Sequence, residues 1–221
     1  VSNSLSIFID LFSNFSIFLK ISSNLSKYKS RIFLSCFVQT NIAFEAKIFD
    51  FSISCVMKVL YLIQSDEFIA KLDNAGIPEI WSIEKALDLA NEVSLALANN
   101  ASEILQGMWG DKPNTWDESL VGNDRYRAII NYLTRMRFLD IHAGLDLENT
   151  SNEATAGYKP WFDYESKLYK KMNQYYVFGH WASLNGQTNN PNFIGLDTGC
   201  VWKGELTALR VDDLKKISVK Y

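Results

Sequence analysis

A chain of 221 residues that is 48% hydrophobic and 21% charged is long enough for one good core and short for two. Its composition excludes a disordered, collagen-like or coiled-coil chain. The formal net charge of −3 provides no global field toward nucleic acid or an acidic membrane surface. Cys36, Cys55 and Cys200 are an odd number without paired spacing, which argues against a disulfide framework or a zinc knuckle and for a reducing, cytoplasmic compartment.

The averages conceal a seam. All 11 Gly, 4 Pro, 6 Trp and 2 His lie at Met57 or later, whereas residues 1–56 hold 9 of the 14 Phe. Residues 1–56 are built largely from Ser, Phe, Ile, Asn, Leu and Lys, with no Gly or Pro to punctuate turns. Leu5 to Leu19 is apolar, yet it is shorter than the roughly 20 residues of a membrane span and contains Asp10. No basic residue precedes it and no small-residue cleavage site follows it, so it does not read as a secretory signal. Those six residue types are what A/T-rich codons spell. The expectation is an anomalous segment over 1–56, non-native or disordered and without a core of its own, with Met57 near the start of ordinary protein. An aggregation-prone N-terminal arm is the alternative.

From Met57 the chain reads as mixed α and β. Ser82 is placed to cap a helix, Glu84 suits its positive end, and Ile83, Ala86, Leu87, Ala90, Val93 and Leu97 recur at helical spacing. Asn99-Asn100 is a candidate interruption before Glu103 to Met108, and Gly110 to Asn114 is a turn by its Gly, Pro and Asn content. A second helix follows, capped by Asn123 or Asp124, with Tyr126, Ile129, Ile130, Leu133 and Met136 as its buried stripe.

That helix carries an electrostatic signal: residues 125–137 hold four Arg and no acid in a chain that is net negative. One account is a solvated basic face paired with acids such as Glu118 or Asp140. The other is an anion site. Arg offers a planar fork of donors matched to phosphate oxygens, and Arg127, Asn131 and Arg135, at i, i+4 and i+8, share one side of a helix.

Tyr175 to Phe178, Phe193 to Asp197 and Glu205 to Val211 have strand character. His180 follows the first of these after Gly179, where ligands and catalytic groups stand in α/β folds, although a lone His is more often a hydrogen-bonded structural residue than a metal ligand.

Taken together, these residues carry a resemblance. Phe178 to Gly186, then Leu196-Asp197-Thr198-Gly199-Cys200-Val201-Trp202 and Leu206-Thr207-Ala208-Leu209-Arg210, are similar to the C-terminal part of the symmetrical bis(5′-nucleosyl)-tetraphosphatases. Ala75-Gly76-Ile77-Pro78, Trp109 to Trp116, Thr134-Arg135-Met136-Arg137-Phe138 and Lys159-Pro160-Trp161-Phe162 agree in order. The resemblance implies that residues 57–221 are the C-terminal part of a calcineurin-like metallophosphoesterase that splits diadenosine tetraphosphate into two ADP. The implied fold is an incomplete α/β sandwich of mixed sheets with flanking helices. Two divalent ions, manganese or cobalt, would be held by Asp, His and Asn and would lower the pKa of a bridging water. The partner would be a dinucleoside polyphosphate, with Arg127, Asn131, Arg135 and Arg137 on its phosphates; neither nucleic acid nor membrane is expected.

The departures are as informative. The family's N-terminal motifs, of the kind G-D-x-H-G, G-D-x-x-x-R-G and G-N-H-D, are absent, and residues 1–56 contain no His and no Gly. Where the family has a His before Ala-Gly-Ile-Pro, this chain has Asn74, a weaker donor than imidazole for manganese or cobalt. His180 and Asn74 are therefore the metal candidates, and no catalytic residue is assigned. His142-Ala143-Gly144 is set aside as coincidence. Two expectations stand: a dinucleoside tetraphosphate hydrolase of the family whose N-terminal half is misrecorded or comes from elsewhere, or an inactive truncated remnant that at most binds nucleotide or does not fold alone. The chain as given is expected not to hydrolyse, with Arg135 and His180 facing one cleft; if it does hydrolyse, Asp197 and Asp111 are the next residues to test.

Overall fold

The computed structural model describes residues 32–34, 61–64, 69–73, 75–164, 174–210 and 213–220, with side chains for 75–164, 175–210 and 213–220. Apart from residues 32–34, the segment 1–56 falls outside these, as does Asn74. The chain divides into two compact units, Val1–Phe33 with Leu209–Ile217, and Leu34–Ala208 with Ser218–Tyr221. The first holds parts of three strands, and within it Arg210 pairs with Asp213. The second unit carries the α/β architecture and everything that follows.

Helix α1 spans Ile83–Gly107. Ser82 caps it as expected, its hydroxyl accepting from the Lys85 N–H at 3.1 Å. Ala86, Leu89, Ala90, Val93 and Leu97 form the buried face, so Leu89 replaces Leu87, which lies in solvent. At 100° per residue Leu87 stands off the line through Ala86, Ala90, Val93 and Leu97. The suspected interruption is real: Asn100 is non-helical (φ −150°, ψ 70°). Its side chain accepts from the Glu103 N–H and donates to the Glu103 carboxylate, which restarts the helix as a fresh N-terminus would.

Helix α2, Gly122–Arg135, begins earlier than expected and has no side-chain cap. Asn123 and Asp124 are engaged elsewhere. Asn123 packs so closely on Gly107 that a Cβ there would come within 2.5 Å of it, and Asp124 pairs with Arg127. The buried residues of α2 run from Ala128 to Leu133, which includes three that its apolar stripe did not mark, Ala128 and the polar Asn131 and Tyr132. Burial forces the polar atoms of both into hydrogen bonds: Tyr132 donates to the Ala143 carbonyl at 2.6 Å and accepts from the Trp116 N–H.

Strands β2 (Tyr61–Gln64), β3 (Ile69–Asp73), β7 (Gln174–Phe178) and β8 (Phe193–Gly195) form one sheet in the order β2-β3-β7-β8. The β2–β3 pair is antiparallel, whereas β3–β7 and β7–β8 are parallel. Short strands β4 (Phe138–Leu139), β5 (Leu145–Asp146) and β6 (Lys159–Pro160) make a second, antiparallel sheet in the order β5-β4-β6. The run expected over Phe193 to Asp197 is divided: Leu196 donates its N–H to the Phe178 carbonyl at 2.8 Å, and β9 (Asp197–Thr198) then joins β10 (Glu205–Arg210) in another ladder. β1 (Ile32–Leu34) and β11 (Lys215–Lys220) complete the strands. The result is an α/β chain with mixed sheets.

The core is aromatic. Trp161 meets Phe178 and Phe193 edge to face, both at 5.3 Å, and Phe138 meets Trp181 at 4.7 Å, a geometry that adds to the burial of such large rings.

Candidate functional site

Parallel strands β7 and β8 pair Phe178 with Gly195, so Gly179-His180 and Leu196-Asp197 leave the sheet side by side at its carboxyl edge. Ligands of α/β sheets bind at such edges. Strand β3 ends on the same edge, Asp73 opposite Phe178. The end of α2 is brought there too, because the Ala75 N–H bonds the Leu133 carbonyl at 3.1 Å. Arg135 and Arg137 at the end of α2, His180 after β7 and Asp197 after β8 thus come from three segments onto one edge.

Three of the expected anion-binding residues are spent on the protein itself. Arg127 donates to the carbonyls of Gly107 and Lys112 at 2.9 and 2.8 Å and to Asp124 at 2.7 Å. Asn131, 1% exposed rather than on a solvent face, donates to the Gly110 carbonyl at 3.0 Å. Arg135 donates to the Asn131 side-chain oxygen at 3.0 Å, to the Asp111 carboxylate at 2.9 Å and to the Gly110 carbonyl. These groups fasten the 107–112 turn to α2. Arg125, which is not one of the expected anion-binding residues, forms a two-point pair with Glu92 and lies over the Trp116 ring. The charge of the helix is therefore balanced mainly by Glu92, Asp124 and Asp111; of the two acids anticipated, Glu118 contributes its backbone carbonyl to Arg125 at 3.4 Å.

Arg137 is different. It is 8% exposed, and its Nε has no hydrogen-bond partner among the described residues. Burial, with Arg135 nearby, pulls its pKa down to about 10 while Asp197 opposes the shift, so it keeps its charge at neutral pH. A buried guanidinium with unused donor capacity is costly. Asp197 accepts from the Gly199 N–H at 3.0 Å, and burial raises its pKa.

His180 sits at φ 60°, a left-handed backbone that few non-glycine residues adopt. Its imidazole donates to the backbone of Arg135, and burial with Arg137 and Arg135 close by pulls its pKa down to about 3. The imidazole thus reaches the Arg135 backbone, and the Arg135 charge acts on it. A His depressed below its ordinary 6.5 favours the folded state in its neutral form. This contribution to stability is complete above pH 6.5 and is lost as pH falls toward 3. We expect the His180 ring to stay neutral down to pH 5 by nitrogen-detected NMR. Unfolding free energy should fall over that window by no more than about 1.4 kcal/mol per pH unit from this one proton. A ring titrating near 6.5 would contradict the burial.

The surroundings of His180 do not fit a divalent ion. Two guanidinium groups beside the imidazole repel a dication as they repel a proton. Among the described residues no three His, Cys, Asp or Glu side chains gather as metal ligands. The edge instead presents positive charge with a donor to spare.

Curated proteins agree with this chain over much of its length. It is 49% identical over 150 residues to the symmetrical bis(5′-nucleosyl)-tetraphosphatase of Marinomonas sp. (strain MWYL1), covering 66% of this chain and 54% of that protein. To the proteins of the same description from Legionella pneumophila (strain Philadelphia 1) and Pseudomonas fluorescens (strain Pf0-1) it is 42% and 45% identical, with 72% and 66% of this chain and 58% and 51% of the relatives covered. The chain is a relative of the symmetrical bis(5′-nucleosyl)-tetraphosphatases. It spans about half the length of these relatives. A solved structure described as a candidate diadenosine tetraphosphatase is 30% identical, with a TM-score of 0.30 over 40% of this chain and 36% of that one. No family model matches. In this tetraphosphatase relative, the ordered segments around Arg135, Arg137, His180 and Asp197 are the ones that converge on the sheet edge. Among the described residues no helix is long and apolar enough to cross a membrane.

Proposed function

We propose that this chain binds the phosphate groups of a dinucleoside polyphosphate at the carboxyl edge of the β2-β3-β7-β8 sheet, and holds them without cleaving them. The observation that carries the reading is Arg137, buried, charged and with an unpartnered Nε. A phosphate oxygen would accept from that Nε and remove the penalty of leaving it unbonded. Arg135 is oriented by Asp111 and Asn131 at the same edge and adds positive charge. Neutral His180 adds none, which keeps the pocket from requiring a second counter-charge.

The relatives' name supports a polyphosphate as the ligand. It also supports a hydrolytic reading, in which manganese or cobalt activates water for attack on phosphorus. That reading needs metal donors beyond the described residues, with His180 and Asn74 as the candidates.

Calorimetric titration of the whole chain with inorganic diphosphate tests the proposal. Arg137→Met keeps the length and apolar stem of the side chain and removes the donors. It should weaken binding by at least tenfold, since hydrogen bonds to charged groups contribute about 1.5–3 kcal/mol. Equal affinity in the parent and Arg137→Met would overturn it.

A further inference from the structure

We infer that Trp109 is the platform on which a base of the bound nucleotide stacks, an inference that rests on the phosphate site proposed above. Trp109 is 56% exposed, an unusual position for so large an apolar ring on a short turn. The turn that carries it is held with more donors than a connection needs. Arg127 clamps the carbonyls of Gly107 and Lys112 on either side of it, and Asn131 and Arg135 both hold the Gly110 carbonyl directly after it. Further along, the Leu145 N–H bonds the Asn114 carbonyl at 2.7 Å.

Two consequences follow. First, the indole is presented from a rigid backbone, so little conformational entropy is lost when a ring stacks on it. Second, its place in the fold is tied to the phosphate-binding edge. Gly110 is the next residue, about 3.8 Å away by Cα spacing, and it and Asp111 are bonded directly to Arg135, whose backbone receives His180. An exposed aromatic ring beside a cationic centre is the arrangement that recognises a nucleotide: charge for the phosphates and a π-face for the base. The turn's donors being Arg127, Asn131 and Arg135 also explains what three of the α2 polar residues do if they do not touch phosphate themselves. They place the ring.

Titrating the whole chain in parallel with ADP and with inorganic diphosphate separates this inference from the reading beneath it. The parent should bind ADP more tightly than diphosphate. Trp109→Ala should weaken ADP about tenfold, the order of loss from removing one stacking ring, and leave diphosphate unchanged, whereas Trp109→Phe should retain most of the ADP affinity. Trp202→Ala, which removes another exposed indole (63% exposed) from a different turn, should change neither ligand. If Trp109→Ala and the parent bind ADP alike, if the loss follows Trp202 instead, or if Trp109→Ala alters only self-association in sedimentation, the inference is overturned while diphosphate binding keeps the phosphate site. If the parent binds neither ligand, the phosphate site fails and the stacking platform with it.

Discussion

The 221-residue chain is expected to release no ADP from diadenosine tetraphosphate above the background of manganese-containing buffer. Two-metal hydrolysis requires two ions about 3.5–4 Å apart, and a catalytic metal site needs about three protein ligands for each ion. This chain has only two His in its whole length. His180 is buried beside Arg137 and Arg135; burial first, and then their charge, lowers its pKa to about 3, and that charge also opposes a dication. Asp197 acts on Arg137 through its charge; its carboxylate takes the Gly199 N–H, and burial disfavours its charged form. The deficit amounts to several ligands, and changes even outside the ligand shell cost about 10–100-fold in metal affinity or activity. Asn74→His should accordingly fail to restore turnover. ADP release by the unmodified chain that His180→Ala abolishes would show that His180 ligates metal despite its cationic neighbours.

Trp161→Ala is expected to be the most damaging single core substitution, at about 3–5 kcal/mol by the usual cost of truncating a large buried aromatic. The ring is 1% exposed and edge-on to Phe162, Phe178 and Phe193. Its backbone N–H bonds the Arg137 carbonyl at 2.9 Å, so the same residue supports the polyphosphate edge from beneath. The indole also lies flat against Gly76, where an added Cβ would come within 2.5 Å of it and where φ is 112°. Urea or thermal unfolding measures the loss; a change below 1 kcal/mol would mean that the core closes over the gap. Gly76→Ala should destabilise independently through its positive φ. In the double variant the two losses should sum to less than their total, because removing the indole removes half of the Gly76 clash.

Local chemistry in the sequence was enough for the helices. Ser82 caps α1 because a side-chain oxygen three residues before an N–H finds it whatever the rest of the chain does, and Asn100 breaks the helix because its amide bonds the Glu103 backbone and side chain in preference to continuing the ladder. Ordered motifs from Gly76 to Arg210 were likewise enough to point to the tetraphosphatase relatives. What the sequence left open depended on neighbours distant along the chain. Arg127, Asn131 and Arg135 share a helix side in any reading; that they grip the 107–112 turn was decided by the packing of α2 against the end of α1, which sets carbonyls opposite their donors. Asn131 reads as a surface residue by polarity and is buried because Gly110 offers it a partner. Leu87 reads as core by spacing and is exposed because the face of α1 turned inward runs through Leu89. The parallel pairing of β7 with β8 brought His180 and Asp197 to one edge from 17 positions apart. Helix period and capping act within a few residues and are written in them, whereas the fate of a charge depends on which carbonyls, carboxylates and rings the fold sets beside it. Arg125, Arg127 and Arg135 acquired protein partners in this way, and the Arg137 Nε found none among the described residues.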